Sequence, residues 1–208
     1  MTIWVDKPYW IEADSYAKSV HRQLLNQLSQ RAIYFHEEPY IPTLKYKNDI
    51  SFSSGIVDFI FEIRSDENIR EPDNLGYCLT SDEHCQIEIV SYLPRYYRIK
   101  KLLREEKYLS DLLNVIRHEV EHMFQSGAYE VDCVTLDTYN RSPNNYMLDA
   151  AEVPAYVHGF RIATGSNLEF CNVISEFIDA HGASLKLTDE EIHYTKKVWY
   201  TYLKNLDN

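Results

Sequence analysis

Residues 110–126 place apolar side chains and two histidines on opposite sides of one predicted helix. At about 3.6 residues per turn, His118 and His122 lie one turn apart and project from the side opposite an apolar stripe. We expect Ser110 to cap the start of this helix and Gly127 to end it. The stripe that would face the core consists of Leu112, Leu113, Ile116, Val120, Met123 and Phe124.

The polar side of this helix carries the string His-Glu-Val-Glu-His at positions 118–122. Two imidazoles at i and i+4 can converge on one tetrahedral zinc ion. Glu119 follows the first histidine directly, where its carboxylate can reach a water molecule activated by the metal. The string therefore indicates a zinc site with a general base. The alternative is an exposed polar face whose histidines and glutamates have no chemical role.

A catalytic zinc needs a third protein ligand and one open position. Glu152 lies in a second predicted helix, which should begin near Asp149 and end at Gly165. Alanines at 150, 151 and 155 leave room for this helix to approach the first one closely, as shared ligands require. Pro154 predicts a short or kinked first turn. The alternative for Glu152 is a first-turn glutamate favoured only by the helix dipole.

The remaining sequence predicts an α+β fold, with strand signals before Pro94 and helices after it. An amphipathic helix is expected over Asp14–Gln30. Capping boxes at Ser166-x-x-Glu169 and Thr188-x-x-Glu191 should each open a later helix. The predicted strands are Ala32–Phe35, Ile56–Ile63 and Gln86–Tyr92, with a hairpin connection over Ser81–His84.

Together these residues resemble the gluzincin metallopeptidases, which pair a His-Glu-x-x-His helix with a later helix often of the form Glu-x-x-Ala. The matching residues here are His118, Glu119 and His122, followed by Glu152 and Ala155. The resemblance covers roughly residues 110–165. It implies an α+β, zincin-like fold: an N-terminal helix and a small twisted sheet, then an active-site helix, a glutamate helix and C-terminal helices. It also implies one domain over 1–208, with an upper subdomain in 1–127 and a helical lower subdomain in 128–208.

The resemblance further implies that a zinc ion (Zn2+) is held by His118, His122 and Glu152. Glu119 would then act as general base and acid in the hydrolysis of a peptide bond. By the same resemblance, Gln86–Tyr92 would be the cleft edge along which an extended peptide pairs.

This sequence departs from the gluzincin pattern at one supporting position. Several gluzincins carry an aspartate four residues after the glutamate ligand, where this chain has Tyr156, so that Asp149 or a backbone carbonyl would have to orient the first histidine. A group that stabilises the oxyanion is also required. Tyr156, His158 and Tyr146 are the candidates for that role.

Two other readings remain open. The segment from Gly76 to Thr80 is similar to the Glu-Gly-Cys-Leu-Ser motif of peptide deformylase, which would make Cys78 a zinc ligand in a deformylase-like amide hydrolase. No Gly-x-Gly-x-Ala-Ala-x-Gln segment occurs upstream, which argues against it. The second reading is a zincin-like protein that uses zinc structurally or serves in interactions without catalysis.

Charge and composition narrow the choice of partners. The chain carries 21 Lys and Arg against 32 Asp and Glu, a formal charge of -11, which repels phosphate backbones and argues against nucleic acid. We find no secretory signal or membrane-spanning stretch, and expect a cytoplasmic protein acting on a peptide or protein substrate. Four cysteines without a Cys-x-x-Cys pair are expected to be reduced, although Cys78 and Cys85 could face each other across a hairpin. The oligomeric state stays open.

Overall fold

A computed structural model describes residues 7–34, 50–52, 55–80, 84–94, 97–125, 145–149, 151–164 and 167–206. Its strands are β1 (Ile50–Phe52), β2 (Gly55–Asp66), β3 (Asp73–Thr80) and β4 (His84–Pro94). Its helices are α1 (Lys7–Tyr34), α2 (Ile99–Leu102), α3 (Glu106–Met123), α4 (Glu152–Thr164), α5 (Asn167–Ser184) and α6 (Asp189–Leu206), with a 3-10 turn at Tyr146–Leu148. The predicted α+β class is confirmed.

The four strands form one mixed sheet in the order β1-β2-β4-β3. β4 pairs in parallel with β2 and antiparallel with β3, and β1 pairs antiparallel with β2. β4 is therefore an inner strand, and the prediction that Gln86–Tyr92 forms the cleft edge is wrong. β3 takes the edge position instead. Its sequence does not predict a strand because Asp73, Asn74 and Gly76 are residue types depleted in strands.

Alternate side chains of the two long strands fill one face of the sheet. The sequence predicts both strands from their richness in Ile, Val, Phe and Tyr, and the structure shows that their side chains alternate between the two faces. α3 packs against β3 and β4, and α1 packs against α3. The buried side chains of sheet and helices form one contiguous apolar cluster. From β2 and β4 the cluster takes Val57, Phe59, Phe61, Ile63, Ile87, Ile89 and Leu93.

The first helix confirms the prediction over Asp14–Gln30 and extends it at both ends. α1 begins at Lys7 and continues through Tyr34. The strand predicted over Ala32–Phe35 is therefore wrong for its first three residues, and Phe35 lies outside the described residues. A short apolar run cannot be distinguished from the end of a helix by periodicity alone.

The predicted caps have different outcomes. α3 begins at Glu106, so Ser110 lies inside the helix and does not cap it. In α6 the capping box is confirmed, because Glu191 N donates to Thr188 Oγ1 at 3.3 Å and Thr188 N donates to the Glu191 carboxylate at 2.7 Å. α5 begins at Asn167, and the predicted cap at 166 lies outside the described residues, as do positions 127 and 165.

Small residues let α3 and α4 lie close together in antiparallel directions. Ser110 Oγ donates to the Ala163 carbonyl at 3.2 Å. A Cβ built at Gly159 would lie 2.2 Å from Asn114 Oδ1 and 2.8 Å from the Asn114 backbone oxygen. Pro154 is the third residue of α4, where its missing N–H needs no helical acceptor, so the helix continues to Thr164. The predicted close approach is confirmed.

Replacing Gly159 by alanine should lower the free energy of unfolding by about 1–3 kcal/mol. The new methyl group would meet the backbone of Asn114, so the two helices must move apart, and α4 carries Glu152. Denaturant titration measures the loss. Gly182→Ala in α5 is a matched control, because its methyl meets only side-chain atoms of Ile192 at 2.7 Å and of Leu187 at 3.8 Å. A Gly159→Ala protein as stable as the parent would contradict this packing.

Candidate metal centre

Three side chains from two helices converge where the sequence predicts a metal. His118 Nε2 and His122 Nε2, one turn apart on α3, lie 3.1 Å from each other. Glu152, the first residue of α4, places its carboxylate oxygens 3.3 Å from His118 Nε2 and 3.5 Å from His122 Nε2. Within the described ranges, this is the group of ligating side chains that could hold a metal ion.

The spacing of the ligating side chains fits a tetrahedral ion. Ligands about 2.1 Å from a tetrahedral zinc lie about 3.4 Å from one another. The two histidine Nε2 atoms lie 3.1 Å apart, and Glu152 places Oε2 3.3 Å from His118 Nε2 and Oε1 3.5 Å from His122 Nε2. The side chains of His118, His122 and Glu152 keep 12%, 20% and 26% of their surface exposed, so a fourth ligand can approach from solvent.

The electrostatics of the cluster suit a bound cation. Burial lowers the pKa of His118, which therefore stays neutral. Burial also opposes charge on Glu152, but its hydrogen bonds to both histidines outweigh that effect and lower its pKa to about 2. His122 is buried too, yet the hydrogen bond and charge of Glu152 raise its pKa to about 9. The cluster thus stabilises one positive charge beside the Glu152 carboxylate, and a metal ion would supply that charge in place of the proton on His122.

Glu119 is buried beside these ligands and lies against the edge strand. Only 5% of the residue is exposed. A Cβ built at Gly76 in β3 would lie 2.5 Å from both Cγ and Oε1 of Glu119, so the observed position of the Glu119 side chain requires a glycine there. Burial raises the pKa of Glu119 to about 7, while the charge of His122 opposes this rise and that of Glu152 adds to it. Gly76 and Glu119 are distant in the chain, so the sequence pattern does not predict that Gly76 leaves room for the Glu119 side chain.

Replacing Gly76 by alanine should displace the Glu119 side chain and leave the fold intact. The atoms in the way belong to one flexible side chain, and alanine is no worse than glycine in a strand. We expect unchanged zinc content and thermal stability, but a loss of about tenfold or more in any turnover that needs a well-placed Glu119. Full turnover in Gly76→Ala would show that the position of this carboxylate is unimportant.

Two neighbouring side chains fix the orientation of the imidazoles. His122 Nδ1 lies 3.1 Å from Gln125 Oε1, and Gln125 Nε2 donates to the Ala151 carbonyl at 3.0 Å, which ties the end of α3 to the start of α4. The Tyr156 ring meets the His118 ring at a centroid distance of 4.3 Å and an interplanar angle of 66°. The sequence prediction did not include Gln125 as a partner of His122, although their spacing of three residues places both on one side of the helix.

The three candidates for stabilising an oxyanion differ in whether they lie near the metal-binding side chains. Tyr156 lies at the cluster, and its hydroxyl donates to Tyr146 Oη at 3.4 Å. Burial, with the Tyr146 hydrogen bond, raises the pKa of Tyr156. His158 does not reach the cluster: it is 2% exposed, with Nε2 3.0 Å from Tyr202 Oη. Helical spacing explains the difference, because Tyr156 follows Glu152 by one turn while His158 projects from another side of α4.

Asp149, the other predicted supporting group, lies at the start of α4. Its Oδ1 accepts a hydrogen bond from Ala151 N at 3.0 Å, and its carbonyl accepts from Glu152 N at 3.1 Å. These bonds satisfy backbone donors at the helix N-terminus. Asp149 therefore helps to place Glu152 by starting the helix that carries it.

The polar side of α3 is not a solvated face. The Arg117 side chain is fully buried, with Nε donating to Asp14 Oδ1 at 2.6 Å and Nη1 donating to Glu121 Oε2 at 2.7 Å. Arg117 thereby joins α1 to α3 directly before His118. With Glu119 also buried, the reading of an exposed polar helix face does not fit.

Cys78 is grouped with Cys85 and not with the two histidines. The two Sγ atoms lie 3.8 Å apart on the paired strands β3 and β4, as the predicted hairpin suggested. Both are free thiols, as is Cys171, while Cys133 lies outside the described residues. The zinc ligand set of a deformylase is therefore not formed in the described part of the chain.

No protein-family model, curated protein or solved structure matches this chain. Across the described ranges, no helix has the length and apolar character needed to cross a bilayer. Function is therefore inferred from the side chains that meet at the metal centre.

Proposed function

We propose that this chain is a zinc-dependent metallopeptidase. The observation that carries the proposal is the convergence of His118, His122 and Glu152 with the buried carboxylate of Glu119 beside them. Structural zinc sites are usually closed by four Cys or His ligands, whereas catalytic sites combine three protein ligands with an open position. A set of two histidines and one glutamate, partly open to solvent, supports a catalytic role over a structural one.

The side chains around the ligands have separate tasks in this proposal. A bound zinc ion supplies Lewis-acid chemistry, which lowers the pKa of a water molecule and polarises a carbonyl group. The Glu119 carboxylate would accept a proton from the attacking water and pass it to the departing amine. Gln125 accepts a hydrogen bond from His122 Nδ1, which leaves Nε2 free as a ligand. Tyr156 packs against His118 and holds its ring in place.

A zincin-like arrangement and a peptide substrate belong to the same proposal. The arrangement of α3 beside an edge strand, with α4 antiparallel to it and supplying the glutamate, supports the resemblance. Peptides can add to a sheet as an extra strand through backbone hydrogen bonds. Because Gly76 of β3 contacts Glu119, a peptide paired with β3 would pass close to the metal ligands.

Removal and return of zinc tests this function. We expect the purified protein to hold about one zinc ion per chain and to hydrolyse unfolded protein or fluorogenic peptides. Treatment with a zinc chelator should abolish hydrolysis, and stoichiometric zinc should restore it. A protein that binds zinc at this site but hydrolyses no peptide in a diverse library would contradict the peptidase proposal and favour a non-catalytic zincin-like protein.

A further inference from the structure

The edge strand carries an unusual row of exposed apolar side chains. Leu75, Tyr77 and Leu79 are exposed by 42%, 51% and 61%, and Ile11 is the other large apolar side chain that the described ranges leave exposed. Alternate residues of a strand project from the same face of the sheet. The residues between them face α3, since Gly76 contacts Glu119 and Cys78 contacts Cys85. The apolar row, defined as Leu75, Tyr77 and Leu79, therefore lies on the outer face.

The backbone beside this row lies at the edge of the sheet that the described strands form. β3 pairs with β4 along one edge, and no described strand pairs with its other edge. A strand with a free edge and exposed apolar side chains is a template on which another extended chain can add. Proteins rarely leave several large apolar side chains together on the surface unless they bind something.

An extended peptide substrate is the occupant that fits the position of the row. Gly76 lies between Leu75 and Tyr77 and contacts Glu119, so a strand added to β3 runs beside the catalytic carboxylate. Its side chains would project alternately toward α3 and toward the outer face. Those on the outer face would lie next to the apolar row. A peptide strand paired with β3 would therefore contact both the candidate metal centre and the apolar row.

The charge on this face argues against acidic side chains in the substrate. Glu88 of β4 is the cross-strand partner of Tyr77, and Asp73 begins β3. An acidic side chain of the peptide would rest on apolar surface close to these carboxylates, without a compensating charge. Aliphatic or aromatic side chains would instead bury area against Leu75, Tyr77 and Leu79.

We propose that Leu75, Tyr77 and Leu79 select peptides with large apolar side chains at every second residue around the scissile bond. This inference rests on the proposed peptidase function and adds the substrate class to it. The three residues bind substrate side chains on the outer face, while the ligands and Glu119 act on the backbone from the α3 side.

The test compares the binding of two peptides of identical composition. In one peptide large apolar residues alternate with serine, and in the other the same residues are clustered. Binding is measured by fluorescence anisotropy to zinc-loaded Glu119→Gln protein, which does not consume the peptide. We expect the alternating peptide to bind about tenfold more tightly, and the Leu75→Thr, Tyr77→Thr, Leu79→Thr protein, built on Glu119→Gln, to lose that advantage.

Threonine is chosen because it keeps β propensity while removing apolar area. Ile60→Thr is the matched control, since Ile60 projects from the same outer face but lies in β2, two strands from the free edge. It should change binding by less than about twofold. If the triple variant does not retain zinc, Tyr77→Thr alone is compared with Ile60→Thr.

Three results would overturn the inference. The first is equal binding of both peptides, and the second is unchanged binding in the variant of the apolar row. The third is a dimer, seen by light scattering, that the variant dissolves and the peptide does not, which would assign β3 to a second copy of this chain. Binding of the alternating peptide together with absent hydrolysis by the parent protein would support the docking inference and contradict only the peptidase proposal. Hydrolysis without any preference would contradict only the docking inference.

Discussion

Replacing Glu152 by glutamine should abolish stoichiometric zinc binding. The amide keeps the size of the side chain but removes the negative charge that lies 3.3 Å from His118 Nε2 and 3.5 Å from His122 Nε2. Loss of a group that merely supports a zinc ligand costs about 10–100-fold in affinity, so loss of the ligand itself should cost about 100-fold or more. Competition with a chromophoric chelator measures the affinity, and elemental analysis measures the content.

Two controls make this result specific. Glu176→Gln changes an exposed glutamate of α5 and should retain zinc, since it only alters surface charge. Cys78→Ala should also retain zinc, because the Cys78 thiol contacts Cys85 and not the histidines. Zinc loss in Cys78→Ala combined with zinc retention in Glu152→Gln would contradict the His-His-Glu ligand set and favour the deformylase-like alternative.

Replacing Glu119 by glutamine should leave zinc in place and remove most of the peptide hydrolysis. Glutamine fits the same space against Gly76 but cannot accept the proton from water. General acid and base groups contribute about 10²–10⁴-fold to rates, and we expect kcat to fall within that range. The measurement pairs zinc content with kcat on one fluorogenic peptide, and Glu176→Gln again serves as the control.

Either of two outcomes would remove Glu119 from the mechanism. Unchanged turnover would show that another group accepts the proton. Loss of zinc in Glu119→Gln would show that this carboxylate supports the metal instead of the reaction. The comparison with Glu152→Gln is informative because the two variants should separate zinc binding from turnover.

Local periodicity explains the part of the candidate metal centre that the sequence predicted correctly. Two residues four apart on a helix always lie on one side, so the convergence of His118 and His122 follows from the spacing alone. The β-branched and aromatic residues of β2 and β4 likewise predicted these strands, and the hydroxyl and carboxylate of Thr188 and Glu191 predicted the start of α6. Each of these features depends on neighbours within a few residues.

The position of Glu152 depends partly on local sequence and partly on tertiary packing. Its helix and its small neighbours are visible in the sequence, but its distance from His118 depends on how closely α3 and α4 pack at Gly159. The same dependence on helix packing applies to Tyr156 and His158. Both were candidates by residue type, but only Tyr156 lies on the side of α4 that faces His118, whereas His158 contacts Tyr202.

By itself, the sequence determined the helix with its two histidines, the α+β class and the candidate ligands, because these follow from short-range spacing. Only the tertiary structure decided that β3, and not β4, is the edge strand, that Gly76 lies against Glu119, and that Gln125 bridges His122 to α4. The physical reason is that strand order and helix approach are set by contacts between segments far apart in the chain. Such contacts depend on the packing of the whole core, and no local period records them.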